Sequence, residues 1–192
     1  RKMKILFIGD IVGAPGREAV RELLPKLQKE YKLDFVIANA ENAAGGSGIT
    51  PKVAQELFEG GVNVLTSRDH IRKKREIFEL IDKEERILRP LNFPAGVPGR
   101  GFCLFKAKNG SNIAVVNVQG RVFMEALECP FKTTREAIEE LSKDTKIIIV
   151  DIHAEATSEK VAMGWYLDGK ASSVLGTHTH IQTADERILP GG

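Results

Sequence analysis

The sequence predicts an α/β fold, and three observations carry that prediction. Apolar runs of five to seven residues recur at Lys4–Ile8, Asp34–Ala38, Val62–Thr66, Lys146–Ile152 and Ser172–Gly176. Runs of that length bounded by turn residues read as buried strands. Stretches of helical period separate them, and strands alternating with helices define the α/β class. Finally, 192 residues of which 42% are hydrophobic are ample for one sizeable core.

Each element has its own local signal. Lys4–Ile8 stops at the glycine-rich turn Gly9–Gly16, which feeds a helix expected to start near Pro15. Ala19, Leu23, Leu24 and Leu27 form that helix's apolar face, and Pro25 is expected to kink it. Asp34–Ala38 runs into Asn39–Gly48, after which Pro51 opens a helix that ends at Gly60-Gly61. Val62–Thr66 leads to Arg68-Asp69-His70 and a helix predicted over Ile71–Ile81. Arg72, Lys73, Lys74 and Arg75 in its first turn carry the wrong sign for a helix N-terminus. They read as a solvated basic face, with an anion-binding cluster as the sharper alternative.

Ile87–Phe93 reads as extended, and Gly101–Ala107 with Asn112–Val118 as a β-hairpin turning at Lys108–Ser111. Thr133 or Thr134 is expected to cap a helix through Leu141. Thr157 or Ser158 should cap another, running to Leu167. Arg187–Leu189 could open a last strand. Arg1 and Lys2 precede Met3 and are left out of the fold reasoning.

Composition excludes several function classes. With 28 basic against 26 acidic residues the net charge is +2, so no strong nucleic-acid footprint and no membrane surface are indicated. No apolar stretch approaches the roughly eighteen residues of a membrane helix. Cys103 and Cys129 lack any paired or CxxC spacing, and no signal peptide is evident, which points to a reducing cytoplasm.

The histidines are the informative residues. The chain has four, and all stand at strand ends: His70, His153, His178 and His180. Imidazole is the commonest protein ligand for transition metals. In α/β folds ligands bind beyond the carboxyl ends of strands, where Asp10, Glu41, Asn42 and Asp69 also stand. Each could be explained singly, Asp10 and Asp69 as helix caps and Glu41 as a surface carboxylate. As a set they exceed the three or four ligands of one zinc and suit two ions sharing a carboxylate. An oxygen-rich set without thiolate favours manganese or iron.

The order of these blocks, Gly9-Asp10, Glu41-Asn42, His70, His153 and Gly176-Thr177-His178-Thr179-His180, resembles the calcineurin-like metallophosphoesterases over essentially the whole chain. Gly9–Gly13, Ala40–Gly46 and Asp151–Glu155 look like the bacterial YmdB-like branch. The resemblance implies two facing mixed β-sheets flanked by helices, an αββα sandwich, in a single metallophosphoesterase domain over residues 1–192. Family members continue past Leu-Pro-Gly-Gly with further C-terminal strands, so the domain is expected to be short of those. Asp10 and His180 would hold one metal with Asn42 beside them; His153, His178 and Asp69 would hold the other; Glu41 would bridge. His70 would be the catalytic acid at the leaving oxygen. The superfamily often has His two residues after the first Asp, where this chain has Val12, so Asn42 would fill that coordination. The third block departs from the family's Gly-Asn-His followed by Trp, reading Arg68-Asp69-His70 with Arg72.

The expectation is therefore a dinuclear metal-dependent phosphodiesterase. Its two divalent or mixed-valence ions would be iron or manganese, and a metal-bridging hydroxide would attack phosphodiesters including 2′,3′-cyclic nucleotides. Its partner would be that small-molecule phosphodiester or nucleotide, with a homo-oligomer left open. One rival is a metal-containing, nucleotide-binding regulatory protein with weak or no turnover. Another is an amidohydrolase-type metal hydrolase, disfavoured because that class carries His-x-His at its first strand. No motif marks the substrate-binding residues.

Overall fold

The computed structural model of the chain describes residues 2–192. It divides into two compact units, each built on its own four-stranded sheet. The first comprises Arg1–Arg89 with the returning segments Pro98–Arg100 and Ala107–Ser111. The second comprises Pro90–Val97, Gly101–Lys106 and Asn112–Gly192.

In the first unit β1 (Ile5–Ile8), β2 (Phe35–Asn39), β3 (Val64–Thr66) and β4 (Ile87–Leu88) lie in chain order and are all parallel. Parallel neighbours require crossovers, and α1 (Gly13–Tyr31) and α2 (Pro51–Glu59) supply the first two. Every residue of β2 is buried, which is why Phe35–Ala38 shows no polar alternation. Val36, Ala38, Leu65, Leu24, Ala54 and Leu57 belong to one core. Thr50 caps α2 by accepting the Val53 N–H at 3.2 Å, with Pro51 in the first turn. Helix α1 starts at Gly13, ahead of the expected Pro15.

The predicted helix over Ile71–Ile81 does not form as one piece. Asp69–Lys73 and Arg75–Ile77 are 3₁₀ turns, Lys74 between them is extended, and only α3 (Phe78–Ile81) is α-helical. The four consecutive cations explain the failure. An α-helix would stack them on its own positive end, whereas the broken path leaves Arg72, Lys73 and Arg75 in solvent and still buries Ile71, Ile77 and Ile81.

In the second unit β5 (Phe102–Lys106) and β6 (Asn112–Gln119) pair antiparallel, joined through Asn109-Gly110, with Gly110 at φ 86°. β7 (Ile148–His153) then adds parallel to β6, and β8 (Ser173–Thr177) parallel to β7. The second sheet is thus the mixed one, while the first is wholly parallel. Two sheets with flanking helices are what the α/β expectation requires. Val116, Val118, Val150, Ile152, Ile138 and Met163 form this unit's core. Helix α4 (Pro130–Leu141) begins before Thr133, because Pro130 opens it and the Thr133 hydroxyl instead donates to the Cys129 carbonyl at 3.1 Å. Helix α5 (Thr157–Tyr166) has no side-chain cap from Thr157 or Ser158. Arg187–Leu189 forms no strand and is largely exposed.

Candidate metal centre

Each sheet gathers its selected residues at the carboxyl ends of its strands. In the first unit Asp10 follows β1, Glu41 and Asn42 follow β2, and Asp69 and His70 follow β3. The turns are tied at the backbone: Ile11 N–H donates to the Asn39 carbonyl, Gly13 N–H to that of Asn42, and Ala40 N–H to that of Thr66, each at 2.9 Å. The glycine-rich loop has a definite task at one position. Gly48 lies at φ 84°, and a Cβ there would meet the His70 carbonyl oxygen and the Lys74 side chain at 2.9 Å. Only glycine lets this loop close on the turn that carries His70.

Glu41 is 1% exposed. Asn42 Nδ2 donates to Glu41 Oε1 at 3.2 Å, and Asn42 Oδ1 faces His70 Nδ1 at 3.1 Å. A carboxylate only accepts, so the amide orientation is fixed, and His70 must donate from Nδ1. Its Nε2 is then the nitrogen left to exchange a proton with something outside. His70 Nδ1 also lies 3.6 Å from Glu41 Oε1. Asp69 is held differently: Arg68 Nε stands 2.8 Å from its Oδ1, and both side chains are mostly buried. The carboxylate that departs from the family's third block therefore comes with its own cation.

The second unit builds a continuous relay. Thr177 donates its hydroxyl to Asp151 Oδ1 at 2.7 Å, so toward His153 Nδ1, 2.9 Å away, its oxygen accepts. That fixes the proton of His153 on Nδ1 and turns the Nε2 lone pair outward. There it meets His178 Nδ1 at 3.0 Å, and His178 Nε2 meets Glu155 Oε2 at 2.9 Å. Two nitrogens each about 2.0–2.1 Å from one ion and at right angles lie about 3 Å apart. The His153–His178 pair has that spacing, and partners behind both rings hold them in ligand orientation, so these residues fit a metal ion.

Backbone strain accompanies the pair. His178 has φ 102° and His180 has φ 53°. Non-glycine residues held there cost about 1–3 kcal/mol each and persist only where the surroundings impose them. Lys160 is one such constraint: its stem crosses Gly176, where a Cβ would come within 2.6 Å, and its Nζ donates to Thr179 Oγ1 at 3.2 Å. His180, at the end of this turn, is exposed.

Of the expected residues, the structure brings Glu41, Asn42 and His70 into mutual contact in the first unit. Asp69 is paired with Arg68, and Asp10 stands after β1. In the second unit it brings His153 and His178 together, with His180 two residues on. Sequence reading missed Asp151, Thr177, Glu155 and Lys160. The alternation Asp151-x-His153-x-Glu155 was the available signal for two of them. Arg72, Lys73 and Arg75 are exposed.

The sequence model of the family described as "YmdB-like protein" matches residues 6–192. The chain is 53% identical over 190 residues to the "2′,3′-cyclic-nucleotide 2′-phosphodiesterase" of Bacillus subtilis (strain 168), covering 99% of this chain and 72% of that protein. Among solved structures, a hypothetical protein from Thermus thermophilus superposes with a TM-score of 0.92 at 43% identity, over 99% of this chain and 73% of that one. A novel phosphatase from Mycoplasma pneumoniae superposes with a TM-score of 0.90 at 34% identity, over 100% and 69%.

Proposed function

Because the chain belongs to the YmdB-like family, we propose that it is a dinuclear metal-dependent phosphodiesterase acting on phosphodiesters that include 2′,3′-cyclic nucleotides. A relative 53% identical carries the name of such an enzyme, which supports the substrate class. The observation that carries the reading is the relay Asp151–Thr177–His153, which turns the Nε2 lone pair of His153 outward to within 3.0 Å of His178 Nδ1, the spacing of two ligands on one ion. On this reading residues 1–192 act as one metallophosphoesterase domain. Asp10, Asn42 and His180 would hold one ion, His153, His178 and Asp69 the other, with Glu41 available to both. The oxygen-rich donor set favours iron or manganese.

When bound, such ions supply Lewis-acid polarisation of the phosphate and a water of lowered pKa. The chain's own residues do the rest. Asn42 and Glu41 orient His70 so that Nε2 can hand a proton to the departing oxygen. Asp151, through Thr177, keeps the His153 proton on Nδ1 and off the ligating nitrogen. Among the described residues no helix is long and apolar enough to cross a membrane.

The test is hydrolysis of adenosine 2′,3′-cyclic phosphate by protein purified without chelator. Turnover abolished by a chelator and restored by manganese is expected. Hydrolysis that persists after complete metal removal would overturn the reading.

A further inference from the structure

The loop after β6 has a conformation that neither the fold nor the metal ligands require. Gln119, the last residue of β6, pairs in register with His153, and Gly120 N–H donates to the His153 carbonyl at 3.0 Å. The chain then makes a tight turn, Arg121–Met124, closed by the Met124 N–H on the Arg121 carbonyl at 3.1 Å. Phe123 occupies the third position of that turn at φ 61° and is 88% exposed. Glycine or asparagine is the usual occupant of such a position. A bulky aromatic there is both strained and unburied, so packing cannot account for it.

The turn is nevertheless fastened firmly. Glu159, 6% exposed, accepts the Arg121 N–H with both oxygens, at 2.9 and 3.0 Å, and the Val122 N–H at 3.2 Å. On its far side the turn is tied to the metal ligands, because Met124 Sδ accepts the Glu155 N–H at 3.2 Å and Glu155 holds His178 Nε2. A firmly held turn therefore displays one exposed ring, on a loop bonded through Met124 to Glu155, the partner of His178.

We propose that Phe123 is the stacking platform for the nucleobase of the substrate, so that the β6 turn selects nucleotides over phosphodiesters lacking a base. The proposal rests on the phosphodiesterase reading above and deepens it. A ring carried on a turn already fastened at both sides spares the backbone's ordering cost when a base lies on it, and stacking on an aromatic face raises affinity by roughly five- to 150-fold. Stacking tolerates any base, and no base-specific hydrogen bonding is implied.

The experiment compares metal-loaded wild type, Phe123→Leu, Phe123→Trp and Phe123→Gly on adenosine 2′,3′-cyclic phosphate and on the base-free glycerol 1,2-cyclic phosphate. Leu keeps apolar bulk without a π-face. In Phe123→Leu the KM for the nucleotide should rise about tenfold more than that for the base-free ester, with kcat for the nucleotide little changed. Trp should restore it. Phe123→Gly should show the same KM contrast together with a raised melting temperature, because glycine relieves the positive φ. Equal changes on both substrates, or none, would overturn the proposal. So would a change confined to oligomeric state, which would make Phe123 a contact between copies. If wild type hydrolyses neither ester, the reaction assigned above is wrong. Calorimetric affinity for adenosine 2′-monophosphate, wild type against Phe123→Leu, then still decides the stacking.

Discussion

Thr177 shows how one hydroxyl can set the tautomer of a candidate metal ligand it never replaces. It donates to Asp151 and accepts from His153, and reversing either bond would put a proton on the outward nitrogen of His153. Thr177→Val keeps the shape and removes both bonds. Losing such a partner typically weakens metal affinity by about 10–100-fold. We expect that loss in a manganese titration, with unchanged circular dichroism; unaltered affinity would show the relay to be incidental. Asp69 poses a different residue-scale question. With Asn in the family's position the site would carry one negative charge fewer, but Arg68 stands 2.8 Å away and offsets it. Arg68→Met should strand a mostly buried carboxylate and destabilise by about 1–3 kcal/mol. Arg68→Met with Asp69→Asn should recover most of that in urea denaturation. Strict additivity of the two single substitutions would mean the pair does not interact.

At the scale of elements, Glu159 is the anchor of the β6 turn, and its three bonds to main-chain N–H groups need an acceptor-only group. Glu159→Gln would aim an amide N–H at one of those donors. A loss of about 1–3 kcal/mol in denaturant stability is expected, and a neutral result would remove the anchor role. The elements also show what could be read in advance. The five apolar runs became β1, β2, β3, β7 and β8; β2, β3 and β7 are buried throughout, as continuous apolar sequence predicts, while β1 and β8 are only partly covered. The stretch after His70 misled, since Ile77, Leu80 and Ile81 keep helical spacing while the cations before them forbid the helix start. At α4 a threonine hydroxyl looked like a cap, but Pro130 had already opened the helix. The histidines were legible because four at strand ends have little structural use. Glu155, Thr177 and Lys160 were not, since their roles depend on side-chain direction, which spacing leaves open. Phe123 was hidden for the opposite reason: turn chemistry predicts glycine there, and its exposure is visible only in the fold.

For the whole molecule, the two sheets have separate cores, and each carries its candidate ligand residues at the carboxyl ends of its strands. The central claim is that the chain holds a dinuclear, hydrolytic metal centre to which His153 contributes. It is tested most directly by counting metal in protein purified without chelator, for wild type and His153→Ala, beside turnover of adenosine 2′,3′-cyclic phosphate. The account predicts about two equivalents and turnover in wild type, and in His153→Ala the loss of at least one equivalent and of turnover with the fold intact. A His153→Ala protein that keeps both metals and full activity, or a wild type that holds two metals and cleaves no phosphodiester, would contradict it.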